Sequence, residues 1–380
     1  MLMDRERHAG RVRGVVMLSR RNQTEDRTRT DVSLPEVSGT SRTPTPGIVS
    51  ESGIKLVLVL AYMRSGSSLT GSIFSRVAET ANSFYMFEPL HALSKNRDAL
   101  YYPNGTEIDS VDTTMNALRI LKAWYTCDLD SLDTVSLRDP FIRMDRRAGS
   151  YFYCLHRLGK LDPRVFPKSC VPKLKSICVE SETRIIKTIR VSMEVVKHLV
   201  KTFPQLKIVH LVRDPRAVLY SQLLVGNYNF RSLPAVAQKH CNSVISDLQV
   251  GSEIGAAYRN SYYVLRYENL ANTPIQVSEK LYKFIDRNFT QKVKNFVFLN
   301  TLSGKPDNGN IGITRSNSRE HIDLWRRVLS IGYARPIDLA CGNVYKRLGY
   351  LPAESTNLKN LNTPLWIENF QGIDIGRGVD

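Results

Sequence analysis

The chain has 380 residues, with 53 Lys and Arg against 36 Asp and Glu, a net charge of +17. Its 42% hydrophobic and 9% aromatic residues are enough for a large packed core, which excludes a wholly disordered chain. No run approaches the ~20 apolar residues of a membrane helix, so no spanning segment is expected within it. The excess charge asks for an anionic partner and leaves its identity to the motifs.

Residues 1–50 contain no aromatic residue and read as a disordered basic tail. They hold 9 Lys and Arg against 6 Asp and Glu, which leaves +14 for the rest of the chain. From Ile54 the texture changes. The run IKLVLVLAY (54–62) is continuous, apolar and rich in β-branched residues, the habit of a strand buried on both faces. RSGSSLTG (64–71) closes it, and helical spacing follows. Similar runs recur at 184–189, 207–212 and 262–267, with helical patterns at 191–202, 215–225, 234–258 and 274–286. Strands alternating with helices predict an α/β fold with a mostly parallel sheet covered on both faces.

For the helix at 274–286, Thr273 is expected as the cap, Pro274 at the first position and Gln276 completing a capping box. A last helix is expected from Pro336 to a stop at Gly349. Residues 95–180 are expected as helical and loop insertions that carry substrate contacts. A domain over 51–355 would then be followed by a C-terminal extension, 356–380.

Two loops carry the chemistry. In the first, Arg64-Ser65-Gly66-Ser67-Ser68-Leu69-Thr70 joins a buried strand to a helix start, where free backbone N–H groups and the helix dipole favour a phosphate or sulfate. Gly66 and Gly71 have the spacing of an ATP-binding P-loop, but Ser72 stands where that motif needs Lys. Alone, the loop is equally an ordinary turn with a capping serine. In the second, Arg213 ends a buried strand, Asp214 can cap the next helix, Pro215 and Arg216 open it, and Ser221 lies about two turns on. Arg213 and Ser221 can clamp a second anion. A plain salt bridge between Arg213 and Asp214 explains the same residues.

Taken together, RSGSS and RDPRAV with its following Ser221 resemble the 5′-phosphosulfate and 3′-phosphate motifs of sulfotransferases. The closer resemblance is to the Golgi carbohydrate 6-O-sulfotransferases that act on galactose, N-acetylglucosamine or N-acetylgalactosamine. FYMFEPLHAL (84–93), KTIR (187–190), YENLANTP (267–274), LWRRVLS (324–330) and YKRLGY (345–350) extend it over roughly 54–352, in family order. The resemblance implies a P-loop-like three-layer fold. It also implies 3′-phosphoadenosine 5′-phosphosulfate (PAPS) as sulfate donor, a glycan or glycosaminoglycan acceptor, no metal and no nucleic-acid partner. The family is lumenal and anchored by an N-terminal membrane helix, a feature this sequence does not show.

Sulfuryl transfer needs an in-line geometry, cations on the leaving oxygen and a base on the acceptor hydroxyl. Arg64 and the loop N–H groups suit the donor end. Lys187 is a candidate for charge near the transferring group, against the reading of a solvated strand-end lysine. Arg190 is a candidate acceptor ligand. Glu88, inside the apolar MFEPL, is the expected base, because partial desolvation raises a carboxylate's pKa. His91 is its rival, and Glu88 as a shaper of the acceptor pocket stays open. A nucleotide-dependent kinase or NTPase and a non-enzymatic polyanion binder are the alternative functions.

Six cysteines, at 127, 154, 170, 178, 241 and 341, permit up to three disulfides, and buried free thiols remain equally open. N-glycosylation sequons stand at Asn22, Asn104 and Asn288.

Overall fold

In a computed structural model, residues 53–79, 82–95, 99–108, 112–159, 166, 168–309, 312–368 and 370 are described. The basic tail, Asn22 and the last ten residues lie outside them. Five strands form the central sheet: β1 (Lys55–Ala61), β2 (Ser83–Phe87), β3 (Thr183–Thr188), β4 (Lys207–Val212) and β5 (Tyr262–Arg266). Their order is β2-β3-β1-β4-β5, and all four pairings are parallel.

The sheet is buried because both sets of alternating side chains meet helices. Leu56, Leu58 and Leu60 of β1 enter one core, and Val57, Val59 and Ala61 enter another. The helices that cover it include α1 (Ser67–Ser75), α2 (Thr113–Thr126), α3 (Met193–Thr202), α4 (Pro215–Leu224), α5 (Leu233–Ala257), α6 (Pro274–Phe284) and α7 (Ile331–Leu348). Trp124 of α2, Leu199 of α3, Leu248 of α5 and Ile337 of α7 fill the first core. Phe74 of α1 and Leu281 of α6 fill the second. The result is the expected three-layer α/β fold.

Several expectations need correction. β2 has no strand signal in the sequence: SFYMF is too short to show a period by itself, and it becomes a strand by adding to β3 at the sheet edge. Thr273 does not cap α6 with its side chain, and no capping box forms with Gln276. A helical turn at Tyr267–Asn272 precedes it, so both the Thr273 N–H and hydroxyl donate to the Asn269 carbonyl. The last helix starts at Ile331, not Pro336, which sits inside it. The lost N–H is offset by a buried face of Ala334, Ile337, Cys341, Val344 and Leu348. Gly349 does end α7, in a left-handed conformation.

All six cysteines are paired, as Cys127–Cys178, Cys154–Cys170 and Cys241–Cys341. The first two staple the region after α2, where a short helix (Val171–Val179) packs beside β2 and a second (Gly149–Arg157) packs on the first. Beyond Gly349, the chain stays on the same core: Leu358 and Leu365 are buried.

Candidate functional site

The carboxyl ends of β1, β2, β3 and β4 meet at one edge of the sheet, where a parallel α/β fold leaves a crevice. After β1 the chain turns sharply. Ser65 is wholly buried, and both its N–H and its hydroxyl donate to the Tyr62 carbonyl. Ser65 therefore closes the turn and does not face the crevice. Gly66 follows at φ 93° as the N-cap of α1, without a side-chain cap bond. A Cβ there would lie 2.4 Å from the Tyr267 ring, so the turn requires glycine twice over. The first N–H groups of α1 are left for a ligand.

They open on a crevice at this end of the sheet. Arg64, Gly66, Ser67, Ser68, Leu69, Arg213 and Ser221 line it, joined by Tyr267, Gly312, Ile313 and Arg315. Thus the two loops expected to hold separate anions share one wall. The Arg64 Nε donates to Ser221 Oγ at 2.9 Å, and Arg213 donates to the Arg64 carbonyl at 3.3 Å. Burial, then the charges of Arg213 and Arg315, push the Arg64 guanidinium below its usual pKa. Three guanidinium groups are crowded, and no carboxylate lines the cavity among the described residues, an arrangement that an anion would relieve. The buried Nε of Arg213 has no hydrogen-bond partner, while its guanidinium stacks 4.2 Å from the centre of the Tyr267 ring. A buried unpaired donor in a cationic wall fits a phosphate-bearing ligand.

Thr70, Asp214, Pro215 and Arg216 were expected here and lie elsewhere. Thr70 is buried in α1, with its N–H and hydroxyl on the Gly66 carbonyl. Asp214 caps α4 through the Arg216 N–H, with Pro215 at the first position. Arg216 is fully buried, pairs with Asp214 at 2.8 Å and donates to the carbonyls of Leu351 and Leu365. Its partners are all internal because the helix turns it away from the crevice. The salt bridge of this corner is Arg216 to Asp214, so Arg213 is released to the cavity.

Sequence reasoning missed Tyr267, Gly312, Ile313 and Arg315. Tyr267 begins YENLANTP, which gave a signal. The stretch around Arg315 has no period and no motif of its own.

On the other side of β1, Glu88 follows β2 at φ 53°. Arg64 is also left-handed, at φ 69°. Two non-glycine residues held in this costly conformation, after strands that flank β3 on either side, mark a site where the fold overrides local preference. The Glu88 N–H donates to the Lys187 carbonyl, and Lys187 Nζ donates to Glu88 Oε1 at 2.5 Å. Arg190 and the Ile189 N–H both reach Oε2. Glu88 and Lys187 are nearly inaccessible, whereas the Arg190 side chain keeps 25% of its surface. Burial lowers the Lys187 pKa from 10.5, against the opposing pull of Glu88. Lys187 reaches this place because Gly71 has no side chain: a Cβ there would meet the Lys187 stem at 3.3 Å and the Tyr85 hydroxyl at 2.3 Å. His91 lies one turn beyond, bonded at 3.0 Å to buried Asp139 and packed on Phe141.

A glycine-turned anion cradle next to a carboxylate clamped by two cations is an arrangement that suits group transfer from a phosphate-bearing donor. Comparison with known proteins sharpens that class. Residues 55–349 match the sulfotransferase domain family, and the chain belongs to it. It is 28% identical to human carbohydrate sulfotransferase 3 over 344 residues, covering 81% of this chain and 70% of that protein. It is also 28% identical to human carbohydrate sulfotransferase 1 over 349 residues, 81% and 82% of the two chains. Among solved structures, the sulfotransferase domain of the Synechococcus PCC 7002 olefin synthase shares 16% identity at a TM-score of 0.43, covering 76% of this chain and 94% of that one.

Proposed function

We propose that the protein transfers the sulfuryl group of PAPS to a sugar hydroxyl of a glycan or glycosaminoglycan, the 6-hydroxyl of Gal, GlcNAc or GalNAc. The carrying observation is the cavity shared by the first N–H groups of α1 and three convergent arginines, Arg64, Arg213 and Arg315, beside the Glu88 clamp. Similarity to carbohydrate sulfotransferases 1 and 3 supports the acceptor class.

In this reading Ser67, Ser68, Leu69 and Arg64 hold the 5′ end of the donor, and Arg213 and Ser221 hold its 3′ phosphate. Lys187 supplies charge where the leaving oxygen develops it. Glu88 accepts the proton of the acceptor hydroxyl. Its Oε1 is tied to Lys187, so the proton goes to Oε2, from which the partly exposed Arg190 swings towards the acceptor. The reaction breaks the donor's S–O bond, forms the sugar O–S bond and leaves 3′-phosphoadenosine 5′-phosphate (PAP). His91 is engaged by Asp139 and shapes the acceptor side with Phe141.

We also assign the protein to the Golgi lumen. Three disulfides suit an oxidising compartment. The sequon residues Asn104 and Asn288 are both exposed.

The deciding test is transfer of radiolabelled sulfate from PAPS to a panel of desulfated glycans, followed by linkage analysis of the product. Sulfate on a primary hydroxyl is expected. No transfer to any glycan, with PAP binding intact, would point to another acceptor class. Stabilisation by ATP and not by PAP in a thermal-shift assay would remove the donor assignment.

A further inference from the structure

Beneath the donor loop lies a chain of buried polar groups that the reaction does not use. Asp247 of α5 is 5% exposed, and its two oxygens serve two different parts of the site. Its Oδ2 accepts the Tyr62 hydroxyl at 2.8 Å, and its Oδ1 accepts the Met193 N–H at 2.7 Å. Tyr62 is the residue on which the donor loop turns, since its carbonyl takes both bonds from Ser65. Met193 opens α3, three residues after Arg190. Ser192, at the N-cap, gives α3 no side-chain bond, so a carboxylate from a distant helix takes its place.

The Tyr62 hydroxyl also meets His210 Nε2 at 2.9 Å, and His210 Nδ1 meets the Tyr262 hydroxyl at 2.8 Å. Burial pushes the His210 imidazole down to about 3, so it is neutral at physiological pH. Because Tyr62 donates to Asp247, the remaining directions follow: His210 Nε2–H donates to Tyr62, and Tyr262 donates to Nδ1. Gly251 leaves the space this requires, since a Cβ there would lie 2.2 Å from the Tyr262 ring. None of these four residues lines the donor cavity.

We propose that Asp247 is a positioning residue that holds the donor loop through Tyr62 and the Lys187–Arg190 segment through the start of α3. One buried carboxylate thereby sets the distance between the anion cradle and the Glu88 clamp. The catalytic consequence rests on the sulfuryl-transfer reading, whereas the mechanical coupling does not.

The test combines hydrogen exchange read by mass spectrometry with kinetics, on the full chain and on Asp247→Ala, Asp247→Asn and Tyr62→Phe. Asp247→Ala is expected to speed exchange about tenfold or more in 62–68 and 189–195, with β5 and α6 unchanged. Tyr62→Phe should affect 62–68 alone. Asp247→Asn should stay near wild type, because its oxygen still serves Met193 and its amide can donate to Tyr62 with the His210 tautomer reversed. In turnover, Asp247→Ala should raise KM for PAPS and lower kcat by about tenfold each, while Tyr62→Phe raises KM with kcat kept. A uniform rise in exchange across all segments overturns the proposal. So does unchanged exchange at 62–68 in Tyr62→Phe. Wild-type protein that neither binds PAP nor transfers sulfate, with the exchange pattern intact, sinks the donor reading and supports the coupling.

Discussion

At Glu88 a strained backbone, a buried lysine and a partly exposed arginine converge on one carboxylate. Glu88→Gln keeps the shape and removes the proton acceptor, so PAP binding should persist while turnover falls by about 10²-fold or more. Full turnover in the folded variant, measured by single-turnover sulfate transfer, would end the assignment of Glu88 as base. Lys187 gives a second handle. Burial lowers its pKa from 10.5, so its charge is lost at lower pH than an ordinary lysine's. Activity that depends on that charge is present below the lowered pKa and declines as pH rises through it. Lys187→Arg stays protonated and should move the alkaline limb of the pH–rate profile upward. An identical limb in both proteins argues against a role for the Lys187 charge. Gly66→Ala meets both a left-handed φ and the Tyr267 ring, and should weaken PAP binding more than tenfold by calorimetry. Unaltered affinity would mean that the loop does not contact the donor.

Among the elements, the segment after α7 is the least expected. Residues 356–380 are expected as an extension beyond the domain, yet three buried arginines fasten the segment after α7 to it. Arg216 donates to the carbonyls of Leu351 and Leu365, and Arg266 to those of Leu348 and Ile367. Arg326 reaches four more, on Asn357, Leu358, Asn360 and Thr363. Irregular backbone has no partners of its own, so these guanidinium forks replace a sheet ladder. Arg326→Met should lower stability by about 3 kcal/mol, because four carbonyls, one buried and three partly buried, lose their donor at once. Chemical denaturation measures it, and a loss below about 0.5 kcal/mol would show that water replaces the arginine. The same feature explains why the sequence misplaced Arg216. RDPRAV shows two arginines three residues apart, and only the turn of α4 decides which one faces the crevice.

For the whole molecule, one set of arginines serves the cavity and another the core. Arg64, Arg213 and Arg315 face the donor cavity, while Arg184, Arg216, Arg266 and Arg326 are buried, with backbone carbonyls among their partners. Net charge therefore overstates what is available to an anionic ligand. Covalent links act at this scale too. Cys241–Cys341 joins α5 to α7 across 100 residues of chain, the longest of the three separations. Replacing both cysteines by serine should cost about 4 kcal/mol, more than loss of Cys154–Cys170, whose separation is 16. Thermal unfolding of the two double variants tests the order, and a reversed order would mean that local packing outweighs loop length.

The parallel sheet, both anion loops and the Glu88 region were legible in the residues, whereas the meeting of Arg64, Arg213 and Ser221 on one wall was not. Buried strands, glycine turns and proline-started helices are local signals, written at short range. What the tertiary structure alone decided is long-range. β2 became a strand only beside β3, and Pro336 was carried inside α7 by the packing of its buried face. Glu88 met Lys187 across 99 positions, and Asp247 met Tyr62 across 185. Arg315 joined the cavity from a stretch without a period. Partners that far apart leave no spacing in the sequence, because what brings them together is the closing of one core around another.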